Sequence, residues 1–335
     1  MNAFATVLRL SRMIIGHMQH LKRGLALPTA LALLIVLSAC GRNAAKAPPT
    51  AVTSATQTAG PTSTPQPTGW QCDLRVEGKN IDTPNGKRVV LHGANLPTLT
   101  VMENSGYKWD ARLSDLAGGN ARVVRLAINV KELTPTFVPA KVVPFVRLAN
   151  DLGMIVILSW DATITDPVDD MVDDAEDWVR LEVDYLNNNG GVWFDLYNGM
   201  KDVSPARQKS IAQRLVDVAR GFRSNNIILV NNPAWLFEAD AAINQPLSGG
   251  NIVYGLNAGV VNTTTLSVNH VGDRSPFMVT RWGNVSSPLS VDVDLLKKIG
   301  IGTLVTSELV DTPNVPVYLA DWWRASLVNW STCRK

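Results

Sequence analysis

Between residues 89 and 308 the chain repeats one unit: a short, almost wholly apolar run, then a longer stretch with helical periodicity. The apolar runs are VVLHGAN (89–95), VVRLAI (123–128), MIVILSW (154–160), VWFDLYN (192–198), NIILVN (226–231), NIVYGLN (251–257), FMVTRWG (277–283) and GTLVTSE (302–308). Strands that lack polar alternation are covered on both faces, and helices between them force a parallel sheet. Eight such units over residues 70–335 match the size of one closed barrel, for which about 250 residues is usual. The expected fold is therefore α/β: a single (β/α)8 TIM barrel with a short N-terminal β-hairpin. The hairpin is predicted from Leu74–Val76 and Asn80–Asp82, with Asn85-Gly86 as a turn signal. Helices are expected around Trp178 to Tyr185, over 206–222, near 291–298 and over 318–330.

In such barrels the working residues lie at the C-terminal ends of the strands. That rule selects Asn95, Arg125, Trp160, Asp161, Asn198, Gly199, Asn231, Asn257, Arg281, Trp282, Ser307 and Glu308 for inspection. Asp195 lies within the fourth strand and is expected to point inward, below the mouth, where a buried carboxylate pairs with a cation. His92, inside the first strand, reads as a core residue, and His270 as a solvated loop residue. No metal-ligand spacing and no glycine-rich phosphate loop is present, so neither a metal nor a cofactor is expected. The acidic stretch from Asp166 to Asp177 lacks EF-hand spacing and reads as a solvated loop running into a helix start, where acids favour the dipole.

The chain ahead of the barrel has a different character. Residues 1–39 carry Arg9, Arg12, Lys22 and Arg23 and no acidic residue, followed by an apolar run from Leu25 to Val36. That run is shorter than the about 20 apolar residues of a membrane span and reads as a signal peptide. It ends in Leu37-Ser38-Ala39-Cys40, which resembles a bacterial lipobox and implies lipidation of Cys40. A start at Met18 would give a more usual leader length, and an ordinary signal peptide with a chance cysteine is the alternative. Residues 40–69 are rich in Ala, Pro, Thr, Ser and Gln, with no aromatic before Trp70. Such a composition cannot bury enough apolar surface to offset its ordering entropy, so it reads as a disordered tether. The expected location is the cell envelope, outside the cytoplasm, with the membrane engaged through the lipid.

Four of the 31 basic residues lie in the leader, which leaves 27 against 29 acidic ones, so the exported part carries close to −2. That balance argues against a nucleic-acid partner, and a monomer is expected. Ten tryptophans suit a carbohydrate-handling surface but equally a large core. With Cys40 lipidated, Cys72 and Cys333 remain at the two ends of the barrel domain. An oxidising compartment permits a bridge between them, which the chain-entropy account values at roughly 4–5 kcal/mol. Two separate buried thiols are the alternative.

The strand-end segments resemble family 5 glycoside hydrolases, the cellulase and mannanase group, over most of residues 74–310. NGKRVVLHGANL (85–96) is similar to that family's opening hairpin and first strand, and VVRLAI places Arg125 at an active-site arginine. VILSWD (156–161) is similar to the third strand, with Asp161 where a histidine is usual. WFDLYNGM (193–200) resembles the fourth-strand Asn-Glu-Pro motif; Asn198 matches, but Gly199 stands at the acid/base glutamate. In NIVYGLNAG (251–259), Asn257 and Gly259 replace a histidine and a tyrosine. In PFMVTRWG (276–283), Arg281 stands at the nucleophilic glutamate. Thr306 and Ser307 occupy the region of a sugar-stacking tryptophan.

These departures bear directly on the chemistry. Retaining glycosidases need two carboxyl groups about 5–5.5 Å apart. Glycine has no side chain, and arginine stays protonated and repels the positive charge that grows on the sugar ring. The resemblance thus implies a pseudoenzyme that binds a polysaccharide or oligosaccharide through Arg125, Trp160, Asn198, Asn257, Arg281 and Trp282. Two other readings stay open. Asp161 and Glu308 could act as relocated catalytic carboxylates, or join Arg125 and Arg281 in a structural ion-pair network. The barrel could equally serve as a scaffold for a protein partner.

Overall fold

The computed structural model describes residues 73–129, 132, 134–161, 168–187, 189–198, 203–231, 246–257, 276–282 and 302–305. Three short strands come first: β1 (Arg75–Glu77), β2 (Asn80–Asp82) and β3 (Arg88–Val89). They form an antiparallel sheet in that order, with Val76 opposite Ile81 and Ile81 opposite Val89. The β2–β3 turn is held by Thr83, which donates its N–H to Lys87 O at 2.8 Å, accepts from Gly86 N at 2.9 Å, and takes the Lys87 N–H on Oγ1 at 3.0 Å. Gly86 sits at φ +76°, a region that disfavours a Cβ.

Eight strands then close a parallel barrel: β4 (His92–Leu96), β5 (Val123–Ile128), β6 (Ile155–Asp161), β7 (Val192–Asn198), β8 (Ile228–Asn231), β9 (Ile252–Asn257), β10 (Phe277–Trp282) and β11 (Gly302–Val305). Ring closure runs through β11, which pairs with both β10 and β4. The helices between them are α1 (Leu99–Asn104), α2 (Trp109–Gly118), α3 (Val143–Asp151), α4 (Val168–Leu186) and α5 (Pro205–Gly221), with a π-helical turn (Val138–Val142) leading into α3. Among the described residues no helix is long and apolar enough to cross a membrane. The helices expected near 291–298 and 318–330 lie outside the described residues.

Two expectations change in detail. The opening hairpin is a three-stranded sheet, and the run VVLHGAN is divided between two sheets. Arg88-Val89 belongs to the small sheet, and the barrel strand starts at His92. The cause is packing: Val89, Ile81 and Leu74 join the buried cluster of the barrel's inward-facing apolar residues. Hydrophobicity runs on across such a break, so it does not mark the bend.

The period-two alternation of strands divides the core in two. On β6, Ile155 and Ile157 point inward with Trp193, Leu229, Val253, Met278 and Leu304. Val156, Leu158 and Trp160 point outward, into the layer beneath the helices, with Val124, Leu126, Phe194 and Leu196. Gly93 shows how tightly the wall is built: a Cβ there would lie 1.7 Å from the Val123 carbonyl oxygen, on the neighbouring strand.

Candidate functional site at the barrel mouth

Above the apolar inner layers the lining turns polar. Arg125 on β5 faces inward and is 8 % exposed, and Asp195 on β7 is fully buried. Arg125 donates from Nε to Asp195 Oδ2 at 2.8 Å, from Nη1 to Asn95 Oδ1 at 3.0 Å, and from Nη2 to Ser159 Oγ at 2.5 Å. Its Nη2 is also 2.6 Å from Asp195 Oδ2. Asn95 carries the chain of bonds across the barrel by donating from Nδ2 to the Thr280 carbonyl at 2.9 Å. Four strands (β4, β5, β6 and β7) thus contribute one polar side chain each, and β10 a carbonyl. The low-dielectric surroundings strengthen each bond and make the loss of any one partner costly.

This geometry sorts the sequence expectations. Asp195 does point inward and pair with a cation. Arg125 is paired with Asp195; the network expected among Arg125, Arg281, Asp161 and Glu308 involves side chains outside the described ones. Trp160 requires a correction. It was selected as a sugar contact, yet it is fully buried in the outer layer and stacks on Trp178 of α4, with ring centroids 6.5 Å apart and planes at 20°. With Ile155, Ile157 and Ser159 inward, alternation sends Trp160 outward. His92 is buried, as a core residue should be.

Other strand-end positions are brought together at the level of the backbone. Asp161 pairs with Asn198, after an irregularity between Ser159 and Asp161. Arg281 pairs with Asn257, after a similar shift beyond Val279. Trp282 ends β10 opposite Val305. Arg281 is exposed at the end of the seventh barrel strand. Gly199, Glu308, Cys40, Cys72 and Cys333 lie outside the described residues.

One acid at the mouth escaped the sequence reading. Glu132 follows the second barrel strand and is 6 % exposed. Its Oε1 accepts from Thr100 N at 3.1 Å, and its Oε2 from Asn129 N at 3.0 Å. Sequence offers little to find it by, because it ends no strand and both partners are backbone amides.

Comparison with known proteins gives this geometry a context. The sequence profile of Cellulase (glycosyl hydrolase family 5) matches residues 82–256. An endoglucanase of Clostridium saccharobutylicum is 24% identical over 241 residues, which is 64% of this chain and 50% of that protein. Cellulase CelDZ1 of Thermoanaerobacterium sp is 27% identical over 147 residues, 40% of this chain and 38% of that one. The chain therefore spans half or less of the curated relatives it matches. Among solved structures, β-glucanase SdGluc5_26A from Saccharophagus degradans in complex with cellotetraose aligns with a TM-score of 0.64 at 18% identity, covering 80% of this chain and 96% of that one. Endoglucanase Cel5A of Thermobifida fusca aligns at 0.59 and 20% identity, covering 70% and 84%. At such identities the structures speak for the fold alone, whereas the profile spans more than half of the sequence. A closed parallel barrel, an inward arginine on its second strand and the profile match converge: the chain belongs to glycosyl hydrolase family 5.

Proposed function

We propose that the mature protein is an envelope-anchored family 5 barrel that binds a glucan-type oligosaccharide at its mouth without hydrolysing it. The observation that carries this reading is Arg281, exposed at the end of the seventh strand, at the position the family resemblance assigns to the nucleophile. A guanidinium offers no electron pair to the anomeric carbon and opposes the oxocarbenium charge. Asp195 does not replace it, because it is fully buried and bonded to Arg125. Arg125, Asn198, Asn257, Arg281 and Trp282 are the proposed ligand contacts. The neutral oligosaccharide class is supported by the β-glucanase neighbour, whose structure holds cellotetraose. Cys40 is the proposed site of the lipid, and Cys72–Cys333 the proposed bridge.

The relatives named endoglucanase and cellulase favour a second reading, in which relocated carboxylates hydrolyse the same bonds. Asp161 at the end of β6 is the first candidate, with Glu308 the second. Calorimetric titration with cellotetraose, run beside an activated aryl cellobioside, separates the two. Saturable binding with no turnover supports the non-hydrolytic barrel. Turnover that disappears in Asp161→Asn or Glu308→Gln establishes the hydrolase. Neither binding nor turnover leaves the scaffold for a protein partner.

A further inference from the structure

Glu132 ties together two segments that are far apart in sequence and adjacent at the barrel mouth. Thr100 belongs to the first turn of α1, which follows β4, and Asn129 directly follows β5. One carboxylate accepts an N–H from each, so it bridges the first and second strand-to-helix connections. The backbone around it is bent to present the side chain: Glu132 N donates to Asn129 O at 2.8 Å, and Thr134 N to Glu132 O at 2.9 Å. The turn continues through Phe137 N, which donates to Thr134 Oγ1 at 3.0 Å. A second, independent tie joins the same two connections, where Lys141 Nζ donates to Glu103 Oε1 at 2.6 Å. That outer pair is well exposed on both sides, and exposed pairs hold weakly. Glu132 is buried, and charge-assisted bonds to backbone amides in such a place are the strong kind.

These connections rise from the strands that carry Asn95 and Arg125, the polar floor of the mouth. Positions that hold a ligand must be fixed by neighbours within about 0.5 Å to be effective. We infer that Glu132 is a positioning residue for the site: its carboxylate locks the first two connections into one rigid wall above Arg125, and the ligand affinity depends on that lock. The inference rests on the proposed binding at the mouth, and it has two consequences that can be read separately. Amide hydrogen exchange at Thr100 and Asn129 reports the lock itself. Cellotetraose affinity reports what the lock does.

The experiment compares the unaltered protein with Glu132→Ala and Glu132→Gln, in the full exported chain. In Glu132→Ala, exchange at Thr100 and Asn129 should rise at least tenfold while β6 and β7 amides stay protected, and cellotetraose affinity should fall about tenfold. Glu132→Gln keeps one acceptor oxygen and should recover part of both. Unchanged exchange at the two amides overturns the lock. Faster exchange with unchanged affinity overturns the positioning role and leaves a purely structural tie. Should Glu132→Ala fail to fold, Glu132→Gln decides alone by the same two readouts. If the unaltered protein binds no cellotetraose, the proposed binding fails by itself, and no positioning role survives it.

Discussion

Asp195 and Arg125 set the character of the mouth at the scale of single residues. A buried ion pair need not stabilise a fold relative to apolar replacements, yet removing one partner leaves an uncompensated charge. Asp195→Ala should therefore destabilise the protein by roughly 3–5 kcal/mol, measured by chemical denaturation. Replacing both partners together by leucine and methionine should recover most of that loss while abolishing any ligand affinity that uses Arg125. The same pair shows what could be read in advance. Asp195 follows Trp193 by two residues on a strand, so its inward direction and need for a cation were legible. That the cation would be Arg125 was not, because barrel stagger decides which side chains meet across the interior. Trp160 is the opposite case. Its position at a strand end suggested the mouth, but the period-two phase of Ile155, Ile157 and Ser159 places it outside.

Arg220 does comparable work between elements. It sits in the last turn of α5 and reaches the segments that begin β8 and β9. Its Nε donates to Gly249 O at 2.9 Å, its Nη1 to Ser224 O at 2.8 Å and Asn226 O at 3.0 Å, and its Nη2 to Gly250 O at 2.9 Å. Gly249, Gly250 and Asn251 all have positive φ, which turns their carbonyls toward the guanidinium. Burial pulls the Arg220 pKa below its ordinary value, since desolvation disfavours the charged form. Arginine remains charged at any working pH, so the cage keeps its cation. Lysine has a point charge and no planar fork, and it cannot reach carbonyls on several sides at once. Arg220→Lys should lower stability by about 1–3 kcal/mol without altering cellotetraose affinity, because the cage lies at the N-terminal ends of the strands. Equal loss of binding would contradict that separation. The strand series was legible in the sequence because each run is buried on both faces. The small sheet's third strand was not, since Val89 is as apolar as the barrel strand it leads into.

Across the whole molecule, the polar and apolar layers of the interior have different tasks. Apolar side chains fill the lower barrel, and Leu74, Ile81 and Val89 pack against them from the small sheet. Among the described residues, the inward-facing polar side chains Asn95, Arg125, Ser159 and Asp195 gather at the end where the strand-to-helix connections emerge. Family membership could be read from ordered strand-end segments, whereas hydrolysis itself turns on single residues at two strand ends, Gly199 and Arg281 among them. The proposed envelope location rests on Leu37-Ser38-Ala39-Cys40. Cys40→Ser should abolish incorporation of labelled fatty acid and move the protein from the membrane fraction to the soluble one. Persistent membrane association in that variant would exclude a lipid at Cys40.

The small sheet has a practical corollary. Leu74, which leads into it, packs at the apolar end of the barrel, away from Asn95 and Arg125. A fluorescent label on Arg75, exposed in that sheet, should therefore leave cellotetraose affinity unchanged.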